Sequence, residues 1–304
     1  MKANNGFTLI ELIISLVLGL LVGAAALQVF ITANQGVRFQ QGAANIQNSG
    51  IFGLDYIIKD IRRANIDSNE AAITSITKHG GIVFNVNNLT SSGSSVVNKE
   101  DLEKLLTDSS VGPSNLKDQK SDQLVIQYKN TIGSQYTCEG ERVLPNQFVV
   151  QRYFIKEETS SGIKSYSLRC KAMTYMGDSE TSFNLAGDGE MLIPNVEHFR
   201  IIFEVAKDTL PVGNLDGVMD QFTYVSASEY KKLQDKPQIV AVQLGILLRS
   251  PDSVSKGTEK NKFTVLDLKN KELVAHADNT KYIRQVISQT VALRNGFGVK
   301  NKSE

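Results

Sequence analysis

The longest apolar stretch of the chain lies at its N-terminus, from Gly6 to Ile31 (GFTLIELIISLVLGLLVGAAALQVFI). As a helix that rises about 1.5 Å per residue, this stretch is long enough to cross the hydrocarbon core of a bilayer. Between Lys2 and Arg38 the only formally charged side chain is Glu11. A carboxylate near the bilayer centre costs about 2.5–3.5 kcal/mol on insertion scales, and an ionisable residue inside a span usually has a functional partner. Glu11 is therefore the first candidate functional residue.

The helical pattern continues beyond the apolar stretch. No proline occurs between residues 34 and 64. Small or apolar residues recur there at steps of three and four, which is typical of a helix with one apolar face. They are Ile46, Gly50, Gly53, Ile57, Ile61 and Ala64. We predict one helix over residues 8–66, with a transmembrane half (residues 7–31) and a second half (residues 32–66) packed under a globular domain.

Glycines interrupt this predicted helix at positions 36, 42, 50 and 53. Each lowers helix stability by about 1 kcal/mol relative to alanine. Their presence indicates curvature or close packing against neighbouring helices.

The remainder of the chain is predicted to be rich in strands. One strand is expected at residues 82–86, and from residue 123 onward the apolar period changes to two, which is typical of strands. The later strands cover residues 124–128, 148–155, 166–172, 199–205, 240–248 and 283–291. Both faces of the 240–248 segment are apolar, so we expect it to be central in its sheet. Short helices are predicted at residues 99–106, capped by Asn98, and at residues 228–236.

This pattern predicts an α+β fold: a long N-terminal membrane and stem helix packed on an antiparallel, β-rich globular head formed by residues 67–304.

Charge is balanced over the 304 residues, with 33 basic and 32 acidic side chains. Such balance gives no general attraction to nucleic acid. The densest group of lysines lies between residues 256 and 271, but Glu259, Asp267 and Glu272 interrupt or border it. We interpret this region as a solvated, mixed-charge surface and predict no direct nucleic-acid partner.

The sequence contains no recognised catalytic motif. His79, His198 and His276 form neither an H-E-x-x-H motif nor an i, i+4 pair, and there is no P-loop, G-x-S-x-G or dinucleotide-binding motif. We interpret the three histidines as structural and predict neither enzymatic activity nor a cofactor.

Acidic loops give one weak indication of a metal site. Asp178 with Asp188 and Glu190, or Asp216 with Asp220, could supply oxygen ligands to Ca²⁺. Neither group has the spacing of an EF-hand loop, and the Asp-Gly pairs at residues 188–189 and 216–217 are ordinary turn formers. No metal site is predicted.

The start of the apolar stretch, Gly6-Phe7-Thr8-Leu9-Ile10-Glu11, resembles the class III signal of type IV pilins and related pseudopilins. The resemblance implies that residues 1–6 are a leader peptide. It also implies that a prepilin peptidase cuts between Gly6 and Phe7, and that the new amine of Phe7 is methylated. In that family the residue at the position of Glu11 guides docking into the growing filament, so an assembly salt bridge is expected at Glu11.

The spacing of Phe7 and Glu11 suits such a salt bridge. Cleavage after Gly6 would leave the Phe7 amine four residues before Glu11, about one helical turn away. An amine and a carboxylate at this spacing can pair within one chain or between neighbouring chains staggered by one turn.

The two cysteines, Cys138 and Cys170, lie in the part of the chain that the resemblance places outside the cytoplasm. An even pair in an exported domain, without a C-x-x-C motif, indicates one disulfide. It would close a loop of 31 intervening residues and contribute about 3–4 kcal/mol in the chain-entropy account. The alternative is two buried free thiols.

Four later segments are similar to PilW-type minor pilins: residues 121–128, 194–199, 240–250 and 290–295. Major pilins commonly kink the stem with a proline, whereas the equivalent position here is Gln28 and the stem contains no proline. This difference and the large predicted head point to a low-copy minor pilin.

The resemblance implies a minor pilin that joins other minor pilins to initiate or cap a type IV pilus, and it leaves open whether that pilus serves twitching motility, adhesion or DNA uptake. The implied partners are other minor pilins, the major pilin, the prepilin peptidase, the pilus assembly platform and inner-membrane lipid, with a large tip adhesin as a further candidate. The expected location is the bacterial inner membrane, with a cytoplasmic N-terminus and a periplasmic head, and then the tip of the pilus (fimbrium). Two alternatives stay open: a minor J-type pseudopilin of type II secretion, and a membrane-anchored periplasmic binding module.

The predicted cleavage is tested by sequencing the N-terminus of the mature protein. We expect Phe7. An ordinary secretory signal peptide would be cut after the small residues Ala24–Ala26 and leave Leu27, whereas a plain membrane anchor would keep Met1. Either of these results would contradict the pilin interpretation.

Overall fold

The computed structural model describes residues 7–68, 70–91, 93, 96–160, 163–177, 180–208, 219–253, 261–274 and 281–296. Its longest element is helix α1, Leu9–Arg63, which has 55 residues and extends about 80 Å at 1.5 Å per residue. Thr8 is the N-cap residue and Ala64 the C-cap residue. The chain turns at Asn65, whose φ of 68° is one that asparagine adopts more readily than most residues. The helix predicted over residues 8–66 is confirmed, with slightly shorter bounds.

Antiparallel strands form most of the head, together with the short helices α2 (Lys99–Glu103) and α3 (Ala227–Lys232). The strands are β1 (Asp108–Gly112), β2 (Ser121–Lys129), β3 (Gln135–Tyr136), β4 (Arg142–Val143), β5 (Phe148–Ser160), β6 (Ile163–Tyr175), β7 (Glu190–Pro194), β8 (Val196–Lys207), β9 (Gln221–Val225), β10 (Gln238–Arg249), β11 (Lys262–Val265), β12 (Leu268–Glu272) and β13 (Arg284–Ala292).

These strands form two main sheets. One has five strands in the order β1-β2-β5-β6-β7, and the other has four in the order β13-β10-β8-β9. The pairs β3-β4 and β11-β12 form separate ribbons. The predicted α+β class is confirmed, and the segment around residues 240–248 is central because β10 lies between β13 and β8.

The main hydrophobic core lies between α1 and both sheets. It contains Ile46, Leu54, Ile57 and Ile61 of the helix, Leu124, Ile126, Tyr153 and Leu168 of the five-stranded sheet, and Phe199, Ile201, Leu244 and Ile246 of the four-stranded sheet. Burying a large apolar side chain contributes about 1.5–3 kcal/mol. The C-terminal part of α1 is therefore an element of the head's own core and not a linker to it.

Two smaller cores cover the other faces of the sheets. Residues 83–106 place Val83, Leu89 and Leu106 against Val125 and Val150 of the five-stranded sheet. The β11–β12 ribbon places Phe263 and Val265 against Leu247 of the four-stranded sheet. Strand β10 is consequently buried on both faces, which explains its nearly continuous apolar sequence.

Two local predictions were wrong. Residues 82–86 form no strand: Ile82 makes one isolated bridge with Ile126, and a 3-10 helix begins at Val86. The Asn88 side chain accepts hydrogen bonds from the backbone N–H groups of Phe84 (2.9 Å) and Asn85 (3.2 Å). Such local side-chain bonds replace ladder bonds to a neighbouring strand.

The second wrong prediction concerns the short helix after residue 98. Asn98 has a left-handed backbone, with a φ of 53°, and its side chain makes no capping hydrogen bond. The helix ends at Glu103 instead of Leu106. The ribbon at residues 262–272 was not predicted at all, because its polar residues resemble those of the loop before it.

Glycines let α1 lie close to its own head. A Cβ added at Gly53 would overlap the side chain of Ile193 in β7, and one added at Gly50 would lie 2.8 Å from Leu248 Cδ1 in β10. At Gly36, on the exposed part of the helix, an added Cβ would meet no atom within 4 Å. Of the two interpretations offered by the sequence, close packing therefore applies to positions 50 and 53, with the head as the neighbour.

Replacing these glycines tests the close fit. Gly53→Ala is expected to lower the free energy of unfolding by about 1–3 kcal/mol, because overlap with a buried isoleucine outweighs the gain of about 1 kcal/mol in helix propensity. Gly36→Ala is the matched control and should be neutral or stabilising. Thermal unfolding of the full chain in detergent measures both, and equal effects would contradict the packing argument.

Candidate assembly surface

The N-terminal half of α1 projects from the head. Every residue from Phe7 to Gln41 is exposed, and burial begins at Gly42. The 33 helical residues from Leu9 to Gln41 span about 50 Å. Within the described parts of the chain, α1 is the one helix long and apolar enough to cross a membrane. The predicted transmembrane half, residues 7–31, is thus fully exposed in the isolated chain. We refer to this exposed apolar part of α1 as the apolar rod.

The candidate residues Phe7 and Glu11 lie together at the free end of this rod, while Gly6 lies outside the described residues. Phe7 precedes the helix and is 85% exposed. The Thr8 hydroxyl oxygen accepts a hydrogen bond from the Glu11 backbone N–H at 3.3 Å. Thr8 thereby caps the helix through the Glu11 backbone, and a glutamate in the first turn is favoured by the positive end of the helix dipole. The cap itself uses only the backbone of Glu11, which leaves the Glu11 carboxylate free of any capping hydrogen bond in the described chain.

An apolar surface continues along α1 at the level of the head. Ile51 is 60% exposed and Phe52 is 76% exposed, on the side of the helix that faces away from the sheets. Phe52 lies 21 residues beyond Ile31, about 30 Å along the helix, so a bilayer that enclosed the apolar stretch would not reach it. From Leu12 to Leu54 the only charged residue is Arg38, which is unusual for a helix surface in water.

A buried carboxylate on α1 couples the helix to the five-stranded sheet. Asp60 is 3% exposed. Its Oδ2 atom accepts hydrogen bonds from Gln151 Nε2 at 2.7 Å and from the Tyr153 hydroxyl. Arg63, one turn further along the helix, has its Nη1 atom 3.6 Å from Asp60 Oδ1. The helix is therefore held at this point by specific polar contacts as well as by apolar packing.

The cysteines connect to the same cluster. Cys138 and Cys170 form a disulfide in the structure. The Cys138 backbone N–H donates to Gln151 Oε1 at 2.8 Å, while the amide nitrogen of Gln151 donates to Asp60. One buried glutamine thus joins the disulfide-bonded loop to the stem helix.

Two of the three histidines have structural surroundings, and His276 lies outside the described residues. His79 Nδ1 lies 2.8 Å from the Tyr175 hydroxyl. His198 is fully buried with Nδ1 2.8 Å from Ser114 Oγ, and burial lowers its pKa to about 3. His198 is thus neutral, and its hydrogen bond connects the loop at Ser114 to β8. Its Nε2 atom has no hydrogen-bond partner in the described chain.

The residues considered for calcium are only partly described. Asp178 and Asp216 lie outside the described residues. Asp188 pairs with Lys156 at 2.5 Å, and Glu190 begins β7. Within the described segments, no three histidine, cysteine or acidic side chains come together as a metal site.

The cluster of Asp60 with Gln151 and Tyr153, the Asp60 cluster, was not predicted, although the sequence contains an indication of it. Asp60 lies between Ile57 and Ile61, within the apolar stripe of the predicted helix. An acidic residue on a buried helix face requires hydrogen-bond partners. Its partners in β5 could not be identified, because they lie about 90 residues away.

Comparison with known families addresses the apolar rod and the head separately. A model of the prokaryotic N-terminal methylation motif matches residues 1–27. A family model described as type IV pilus-assembly protein W, PilW, matches residues 152–295, from β5 to the end of the described chain. The PilW match covers just under half of the 304-residue chain, and together with the N-terminal motif it supports a type IV pilus minor pilin of the PilW type. The motif and the apolar helix support anchoring in a membrane, and the pilin family implies prepilin processing and association with other pilus components.

Among solved structures, the chain is similar to a type IV-like pilin from Thermus thermophilus. The two share 16% identity with a TM-score of 0.31, over 60% of this chain and 82% of the other. No curated protein matches the chain significantly.

The Asp60 cluster predicts a specific pH dependence of stability. Burial raises the pKa of Asp60 from 3.8 to about 6, so the folded state binds its proton more tightly than the unfolded state. Stability from this proton is fully present below about pH 4 and is lost as the pH rises through 6. We expect Asp60→Asn to flatten the change in melting temperature between pH 4 and 7.

Asp55→Asn is the control, because Asp55 is a half-exposed carboxylate on the same helix that pairs with Lys59. It should leave the pH profile close to that of the wild type. A wild-type profile in Asp60→Asn would show that Asp60 does not titrate in this range.

Proposed function

We propose that this PilW-type pilin joins other minor pilins to initiate or cap type IV pilus assembly after cleavage between Gly6 and Phe7. In this proposal residues 1–6 are the leader, residues 7–31 cross the inner membrane with the N-terminus in the cytoplasm, and residues 32–66 carry a periplasmic head of residues 67–304. The observation that carries it is the exposed apolar rod with one carboxylate at its tip. The apolar side chains of such a rod are shielded from water only when lipid or other subunits surround them.

Glu11 supplies the directional contact. Cleavage would expose the Phe7 amine next to the helix start, where the Thr8 cap keeps Glu11 in the first turn. A partner subunit staggered by one turn would bring its own amine to this carboxylate. The pairing would offset the cost of a charge in hydrocarbon, so it favours the assembled state over the single chain in lipid.

The head-level surface of the stem supplies contacts outside lipid. Ile51 and Phe52 would face the stems of neighbouring subunits, where burial of a phenylalanine contributes about 1.5–3 kcal/mol. The lack of charge from residue 12 to 54, apart from Arg38, suits a helix surrounded by other helices. The proline-free stem and the large head support a low-copy position at one end of the filament.

Two substitutions at Glu11 test the proposal. Glu11→Gln keeps the size and polarity of the side chain but removes its charge, whereas Glu11→Ala removes both. If the carboxylate pairs with a partner's amine, both variants should be inserted and processed normally yet be recovered in sheared pili at least about tenfold less, the equivalent of 1.4 kcal/mol. Piliation and type II secretion are scored in the same strains.

The outcomes separate the alternatives. Full function of Glu11→Gln with loss in Glu11→Ala would assign to Glu11 a role that needs its polar side chain but not its charge. Full function of both variants would favour a membrane-anchored binding module. A secretion defect with normal piliation would assign the chain to a type II secretion system.

A further inference from the structure

The four-stranded sheet has an open edge at β13. This strand is terminal in the order β13-β10-β8-β9, and its nine residues pair with β10 without a bulge. The terminal strands β1, β7 and β9 have five residues each, and the pairings of β1 and β7 contain register shifts. Among the described sheets, β13 is therefore the longest and most regular edge.

Alternate backbone groups of β13 point away from the sheet. At its start, Ser250 N–H donates to Ile283 C=O at 2.8 Å, and at its end Leu293 N–H donates to Val240 C=O at 2.8 Å. The backbone N–H and C=O groups of successive residues point to opposite edges of a strand. In β13 those of the odd-numbered residues therefore point towards β10, and those of the even-numbered residues point away from the sheet. Beyond Arg284, the outward residues are Val286, Ser288, Thr290 and Ala292, and within the described chain nothing bonds to the outward backbone groups of these four.

Among the residues that the structure describes, none of the usual devices protects this edge. Proteins commonly block edges with lysine, proline, bulges or a covering segment. The only charged residue of β13 is Arg284 at its first position, and the strand contains no proline. Ser288, Gln289 and Thr290 are exposed. A regular edge of this length is suited to the addition of a further strand.

The edge lies along the stem. A Cβ added at Gly42 would lie 3.1 Å from Ile283 Cδ1, and Gly50 lies against Ile287. Beyond the strand, Asn295 Nδ2 donates to the Arg62 backbone carbonyl at 3.0 Å. The strand and the helix therefore run in the same direction, so a strand added at this edge would lie beside the stem.

We infer that β13 is a docking edge for an extended segment of a different pilus subunit, which adds a fifth strand to this sheet. The inference rests on the proposed role in assembly. An extended backbone is the partner that satisfies alternating donors and acceptors.

A second copy of this chain fits the edge poorly. Antiparallel pairing of two β13 strands would point their stems in opposite directions, which a shared membrane does not permit. Parallel pairing about a two-fold axis would place the stems on opposite faces of the joined sheet. Neither arrangement brings two stems side by side.

The side chains on the two faces of β13 determine which kinds of side chain an added strand can place beside them. Ile287 packs against the main core beside the helix, and Val286 packs against the β11–β12 ribbon. Successive side chains of an added strand would lie next to these two apolar neighbours. An uncharged segment with frequent apolar residues therefore fits the edge.

Residue-resolved hydrogen exchange tests the inference directly on the full chain. In detergent, the amides of Ile287, Gln289 and Val291 should be protected by β10, while those of Val286, Ser288 and Thr290 exchange quickly. In assembled pili or minor-pilin complexes, both sets should be protected. Fast exchange of the outward amides in the assembled state would overturn the inference.

Ser288→Pro is the matching variant, because proline removes an outward N–H and leaves the bonds to β10 in place. We expect a melting temperature close to that of the wild type and at least about tenfold less of the chain in sheared pili. Ser288→Val is the control, since it keeps the N–H and should assemble normally. If Ser288→Pro does not fold, the exchange experiment on the wild type decides.

The result is separable from the proposed function. Normal incorporation of a folded Ser288→Pro into pili, together with loss for Glu11→Gln, would overturn the docking edge and retain the role in assembly. Crosslinking of a photoreactive residue at Thr290 to a second copy of this chain would also overturn it, whereas a crosslink to an identified strand of another pilus subunit supports it.

Discussion

A single helix has to suit two environments, and the rest of the structure depends on how it does so. In lipid every backbone polar group must be satisfied within its own segment, which α1 achieves as one uninterrupted helix from Leu9 to Arg63. In the head the same helix omits side chains at Gly50 and Gly53, so that both sheets can approach it. No proline or break separates the two parts. A displacement or rotation of the exposed half is therefore transmitted directly to the head.

Polar contacts fix the position of the helix in the head. Apolar packing alone discriminates weakly between similar arrangements, whereas a buried carboxylate is costly unless particular donors surround it. Asp60 finds these donors in Gln151 and Tyr153. Because Gln151 also accepts the Cys138 N–H, the disulfide-bonded loop and the stem share one anchoring residue. The orientation of the head relative to the membrane helix is thus specified by a few buried groups.

Elements with a strong local pattern could be predicted from the sequence. The period of α1 extends over more than 50 residues, and the two apolar faces of β10 indicated its central position. The division into two sheets could not be predicted, because strands such as β2 and β8 meet only through tertiary packing. At residues 82–86 an apolar run suggested a strand, but the Asn88 side chain takes two of the backbone donors. At the candidate site, Phe7 and Glu11 were identified from their motif, while the partners of Asp60 required the fold.

The apolar rod alone does not explain specific assembly. Lipid tails are as apolar as leucine side chains, so exchanging lipid for a neighbouring stem gains little from the hydrophobic effect. Direction and specificity have to come from contacts that lipid cannot replace. In the proposed assembly these are the charge of Glu11 at one end of the stem, the exposed Ile51 and Phe52 above the bilayer, and the outward backbone groups of β13 beside it. All three contacts lie along the axis of α1, at different distances from its N-terminal end. A partner that satisfies them together must have its own stem in the same direction and in one register, which is the requirement for adding a subunit to a filament.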